Sequence, residues 1–329
     1  MPITNRTDFH IYNDEFHGGM LESLTQYAGV FNEGSNGAIR LLTADMIGDY
    51  RKETFFKSLG QGMITRQDTT SNDPVPDTKI TDAEHVEVKL FRKINPYTTT
   101  YNAFRAIGAD PSEFSYIVGQ QAGQAMVREM LNTVIKATRA AISGIASNVK
   151  DATADTLKSI SHENLLDMFA LFGDNSDRIK ALVMHSKQWF DLQKQGLADG
   201  YETIATGILN SHYVPAFNRP IIVTDSPSLV DTTPSPDEYY VLGLTDGAAV
   251  ASKIDDVQML LDPISGEEQL RVRLQGEYSY AIGLKGVAYD TTAGPNPTDT
   301  AIGTAANWDQ VVTSPYDTPG ALLKVNPKV

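Results

Sequence analysis

Few residues in this chain stand at spacings that could do covalent or metal chemistry. His10, Asp14, Glu15 and His17 fall within eight residues and by type could hold a divalent cation. They stand in a polar, glycine-punctuated segment without a rigid frame, which favours a solvated arm. His185, Ser186 and Lys187 include a nucleophile and two bases. Neighbours on one strand point to opposite faces, so these three cannot make a triad alone. Ser186 as the cap of the helix that follows is the simpler assignment. No G-x-S-x-G elbow occurs, Gly60 and Gly62 lack the third glycine of a phosphate cradle, and no P-loop lysine follows. His162 has no second histidine at zinc-protease spacing. The chain contains no cysteine, which removes thiolate ligands, disulfides and a thiol nucleophile together. The sequence assigns no catalytic residue, no cofactor and no metal.

Charge says more. The formal net charge is −14 over 329 residues, opposite to the basic face of an unaided nucleic-acid binder. Its distribution is uneven. Residues 151–265 hold seven basic against 17 acidic residues, whereas residues 111–150 hold four against two. Arg128, Lys136 and Arg139 lie on one side of a predicted helix there, opposite an apolar stripe. A second basic group, Arg66, Lys89, Arg92 and Lys93, falls in a predicted hairpin.

The elements that must position these groups follow from periodicity. Residues 1–59 predict an arm without a core of its own, with a helix over 44–58 started by Asp45 and Asp49. Residues 60–97 predict two strands, GQGMITRQD and HVEVKLFRKI, joined by a polar tip around Asp73-Pro74-Val75-Pro76. In the second strand Val86, Val88 and Leu90 alternate with Glu87, Lys89 and Phe91. An isolated hairpin is marginal in water, so those three side chains are expected to rest on an adjacent copy of the chain. Residues 98–150 contain the strongest helix signal. Asp110-Pro111-Ser112-Glu113 makes a start, and Val127, Met130, Leu131, Val134, Ala137, Ala141 and Ile145 keep helical spacing from there on. At ~1.5 Å per residue a helix over 112–146 runs about 50 Å, long for a small domain and suited to a spine.

Residues 151–265 alternate in type. Helices are expected at HENLLDMFALFG and KQWFDLQKQGL, and strands at RIKALVMHS, RPIIVTDS and EYYVLGL. Trp189 and Phe190 read as core. Residues 266–329 return to strand patterns, in two runs separated near Gly276, and end in a Gly/Pro/Thr-rich tail that Trp308 anchors to some surface. No run reaches the ~18 apolar residues of a membrane span, and the first residues carry no signal-peptide pattern. A soluble protein made in a cytoplasm is the expectation.

The order of these parts resembles the tailed-phage major capsid proteins of the Hong Kong 97 type. IKALVMHSKQWFDLQKQGL and VPAFNRPIIVTDSPSL are similar to segments of their axial (A) domain. VEVKLFRKINPYTTTYNAFRAIG resembles the return strand of their extended (E) loop entering the spine. NPTDTAIGTAANWDQVVTSPYDTPGALLKVN resembles their C-terminal segment. The resemblance implies an α+β fold with an N-arm (1–59), an E-loop (60–97), a spine helix of the peripheral (P) domain (98–150), an A-domain (151–265) and returning P-domain strands (266–329). It implies hexamers and pentamers that close into an icosahedral head around double-stranded DNA. With these come a virion location after assembly in the bacterial host cytoplasm, and portal and decoration proteins as partners. An E-loop starting near residue 60 leaves no room for a fused scaffolding segment, so a separate scaffolding protein is expected. The E-loop contact then falls to Arg66, Val86, Val88, Lys89, Leu90, Arg92 and Lys93, and the DNA-facing spine to Arg128, Lys136 and Arg139. Lys79 in the hairpin carries no mark of cross-linking chemistry. The alternative on the same fold is an encapsulin-like compartment around protein cargo.

Overall fold

The computed structural model describes residues 32–59, 63–71, 74, 75, 77, 79–100, 102, 111–198, 213, 214, 219–264, 266 and 268–328. The candidate metal cluster at His10–His17 and the cap at Asp110 lie outside these residues.

In chain order the strands are β1 (Ile39–Thr43), β2 (Tyr50–Phe56), β3 (Asp82–Thr100), β4 (Val149–Asp151), β5 (Ile179–Met184), β6 (Tyr213–Val214), β7 (Arg219–Val223), β8 (Val230–Asp231), β9 (Glu238–Thr245), β10 (Ala249–Ile264), β11 (Arg271–Leu284), β12 (Val287–Tyr289), β13 (Trp308–Gln310) and β14 (Gly320–Val325). The helices are α1 (Pro111–Ser143), α2 (His162–Ala170), α3 (Ser186–Ala198) and the short α4 (Asp299–Ile302). One sheet has the order β1-β10-β11-β12-β13, with β3 on β11 and β2 on β3. The other has the order β4-β14-β9-β5-β7-β6, with β8 on β9.

The spine helix forms where the apolar stripe predicts it. Val134, Ile135, Ala137 and Ala141 of α1 share one buried cluster with Leu90 of β3 and with Tyr280, Ile282 and Leu284 of β11. The same cluster takes Ala181 and Val183 of β5, while Leu182 and Met184 join a second one with Leu165, Met168 and Trp189. The second sheet is therefore covered on both faces, by α1 on one side and by α2 and α3 on the other. Double burial is why ALVM of β5 reads as an unbroken apolar run, with the exposed Lys180 just before it. Ser161 caps α2 by accepting from the Asn164 amide.

Four expectations from sequence are corrected. Residues 50–56 are strand β2 rather than helix: YRKETFF pairs with β3 from Tyr50↔Val88 to Phe56↔Asp82, and cross-strand pairing outweighs the weak helical signal of the acids before it. Described residues 63–68 hold no strand, so the hairpin's outgoing strand lies ten residues earlier than its sequence suggests. The stretch before residue 59 does enter a core. Ala38 and Ile39 are fully buried and β1 runs parallel to β10. Residues 271–284 form one continuous strand. Gly276 marks a register shift against β3, in a seat where a Cβ would stand 2.0 Å from the Met259 sulfur.

The sheets also regroup the chain. β10 belongs with β3 and β11 although it falls inside residues 151–265, and β14 inserts into the second sheet between β4 and β9. Phe190 is 55% exposed, unlike the buried Trp189 beside it. Trp308 is anchored inside its own subunit. Its indole Nε1 donates to the Ile302 carbonyl at 2.9 Å, and its ring meets Tyr289 edge-on.

Candidate functional site

The hairpin leaves the first sheet at a single residue. β3 pairs with β2 over Asp82–Val88 and with β11 from Val88 to Thr100. Only Val88 has both partners. Outward of it the two strands have each other and nothing else in the ladder. The apolar side chains at and beyond the outer ends of the strands lie in solvent: Phe56 is 81% exposed, Ile64 88% and Val75 84%, with Met63 and Ile80 also exposed.

The clamp expected of Val86, Val88 and Leu90 is corrected by their position. All three are buried in the isolated subunit, Val88 and Leu90 completely, and Val88 and Leu90 share one cluster with the apolar stripe of α1. The period-two pattern gave their face, but not that the other half of the sandwich comes from the same chain. Of the basic hairpin residues, Arg66 and Lys93 are exposed. Lys89 is buried, with its ammonium 5.0 Å from the Phe91 ring centre.

Arg92 points inward to a polar knot. Its Nε lies 2.8 Å from Glu129 Oε1 and its Nη2 2.7 Å from Asp299 Oδ1. The Tyr278 and Tyr280 hydroxyls each donate to the Glu129 carboxylate at 3.0 Å, and the Thr133 hydroxyl donates at 2.9 Å. One carboxylate thus ties β3, β11 and α1 together, and Arg92 extends the tie to α4. Sequence reasoning missed Glu129. The available signal was an acid flanking the apolar stripe of α1 and two tyrosines at period two in β11.

The spine's three basic residues have different surroundings. Arg128 is exposed and Lys136 half-buried, the stem of Lys136 lying over Gly303. Arg139 is engaged within the chain. Its Nη1 donates to the Ser228 carbonyl at 2.9 Å, and its guanidinium sits 4.6 Å from the Tyr240 ring centre. That joins the spine to the second sheet.

The geometry around His185 is not that of a nucleophile. Ser186 Oγ donates to Asp225 Oδ1, and His185 Nδ1 accepts from the Lys187 amide at 3.1 Å. His185, not Ser186, serves as the cap, and the Ser186 hydroxyl is bonded to Asp225 rather than to His185. Among the described residues no group of three His, Asp or Glu could hold a metal, and no helix is long and apolar enough to cross a membrane.

Residues 8–322 match the Gp13-like family, described as major capsid protein 13-like. No curated protein matches the chain by sequence. Solved structures match its fold. The capsid asymmetric unit of cyanophage Pam1 aligns at a TM-score of 0.54 and 9% identity, covering 88% of each chain. The capsid of Ralstonia phage GP4 aligns at 0.53 and 10%, covering 90% of this chain and 88% of that one. A chain of Mycobacterium phage Bobi aligns at 0.51 and 12%, covering 88% and 89%. At these identities the likeness is one of fold, and the fold is that of Hong Kong 97-type capsids.

Proposed function

The chain belongs to the major capsid protein 13-like family, a structural protein of the phage head, and from that premise we propose that its copies join as hexamers and pentamers into an icosahedral shell enclosing double-stranded DNA. The observation that carries this reading is the hairpin. Its apolar residues Phe56, Met63, Ile64, Val75 and Ile80 stand in solvent on a hairpin whose ladder joins the sheet at Val88 alone. Burying such surface yields roughly 25 cal/mol per Å², and a second copy of the chain offers the place to bury it. The inter-subunit contact of the E-loop therefore moves outward from Val86, Val88 and Leu90 to these tip residues. Arg66 and Lys93 supply positive charge toward a neighbour whose residues 151–265 are acidic. Arg128, exposed on the spine, is assigned to the DNA-facing side, with sequence-blind, salt-sensitive contacts to phosphate. Scaffolding, portal and decoration proteins belong to this reading through the family resemblance alone.

Electron microscopy of the purified protein tests it, with the contents of any particles read by nuclease protection. Closed shells are expected from the parent chain in an infected or co-expressing host, and protected DNA from the infected host. Phe56→Ser with Ile64→Ser should leave folded subunits that do not form stable shells. Normal shells from that variant would refute the E-loop contact. Shells holding a protein cargo and no nucleic acid would refute the head reading in favour of a compartment.

A further inference from the structure

The ladder joins the hairpin to the sheet at Val88 alone, so side chains must fix its angle: Tyr50 stacks on Tyr289, the Thr313 hydroxyl donates to the Ser58 carbonyl at 3.4 Å, and a charged group sits at the point of departure itself. The next register position after Ile282↔Val88 is Gly283 opposite Glu87, where the ladder to β11 has ended. Glu87 does not turn to water. Its side chain is 8% exposed, and it lies over Gly283 so closely that a Cβ there would stand 2.7–2.8 Å from its Oε1, Cδ and Cγ. The carboxylate accepts from Arg51 Nη2 at 3.0 Å, and Arg51 is the residue directly opposite Glu87 on β2. His85 Nε2 lies 3.8 Å from the same oxygen. A buried carboxylate at the point of departure, bonded to the outgoing strand and seated on a glycine of the body, joins all three strands that meet there.

We propose that Glu87 is the lock that sets the pitch of the hairpin, with Arg51 as its clasp and Gly283 as its seat. This rests on the reading that the hairpin reaches a neighbouring subunit. Seven residues of strand at ~3.3 Å each make an arm of about 20 Å, so a rotation of about 5° at Val88 moves its end by roughly 2 Å. That is enough to misplace an apolar tip on a fixed partner. A charge buried this way holds position strongly, because moving it away from Arg51 leaves it desolvated and unpaired.

The absence of cysteine permits a direct test. Spin labels at Thr69→Cys on the hairpin and Asp309→Cys on the body report their separation by pulsed dipolar spectroscopy on unassembled, dilute subunits. A narrow distance distribution is expected for the parent. Gly283→Ala, which evicts the carboxylate, and Arg51→Gln, which frees it while leaving the seat intact, should each broaden or shift that distribution with the thermal unfolding midpoint within a few degrees of the parent. Glu87→Gln should do the same more weakly, since the amide still fits the seat. A parent distribution as broad as the variants', or Gly283→Ala and Arg51→Gln distributions identical to a narrow parent, would overturn the lock. The measurement needs no shell, so a failure of the E-loop contact, read by microscopy, is separate from a failure here.

Discussion

Arg92 on β3 and Glu129 on α1 meet at 2.8 Å across the sheet–helix boundary, and two tyrosines of β11 donate to the same carboxylate. The pair ties the return strand to the helix beside the buried Leu90 and Val134.

Glu129→Gln keeps the shape and removes the charge. Hydrogen bonds to a charged group contribute about 1.5–3 kcal/mol, so unassembled subunits should lose about 2 kcal/mol by denaturant unfolding. Combining Glu129→Gln with Arg92→Gln should cost less than the sum of the single changes, because the two groups share one interaction. Strict additivity would dissolve the pair as an energetic unit.

Burial, and then the adjacent Glu129 charge, raise the Tyr278 and Tyr280 phenols above their usual 10.0. The folded protein therefore holds these protons more tightly than the unfolded chain. Their contribution is fully present below pH 10 and is lost as pH rises from there toward the raised values. Stability should be level through neutrality in this respect and fall in alkali. Tyr278→Phe with Tyr280→Phe should flatten the fall between pH 10 and 11.5, measured by urea midpoints.

Arg128 and Arg139 should separate under substitution. Arg139→Ala removes a hydrogen bond and a ring contact and should cost roughly 1–2 kcal/mol of subunit stability. Arg128→Gln should stay within about 0.5 kcal/mol and instead weaken salt-sensitive binding of duplex DNA, read by filter binding across salt concentration. A stability loss for Arg128→Gln equal to that of Arg139→Ala would remove the distinction.

Gly320 begins β14 at φ 156°, where a Cβ would stand 1.9 Å from the Gly243 carbonyl oxygen. That contact is with backbone of the paired strand β9 and cannot be relieved by a rotamer. Gly320→Ala should destabilise by about 3 kcal/mol or more, seen as insoluble expression or a sharply lowered Tm. Asn148 Nδ2 donates to the Gly320 carbonyl at 3.0 Å and to the Thr318 hydroxyl at 2.7 Å, so Asn148→Ala should loosen the same strand by a smaller amount.

The sequence by itself determined the local elements and the order of parts. The spine came from a helical stripe sustained from Val127 to Ile145, β5 from an apolar run, and β3 from strict alternation at Val86, Val88 and Leu90, because each is a repeat within one segment. The family followed from the order of those segments. The tertiary structure alone decided which surfaces face one another. Alternation says that Val88 and Leu90 share a face but not whether that face meets α1 or a second subunit, and α1 covers it. Residues 50–56 carry a pattern too short to distinguish strand from helix, and the choice is made by β3, about 30 residues away. Glu129 and Glu87 look in sequence like ordinary charges on a helix and a strand. Their roles arise from Arg92 and Arg51, and from the space over Gly283, brought together by pairings of up to about 195 residues' separation that no local period encodes.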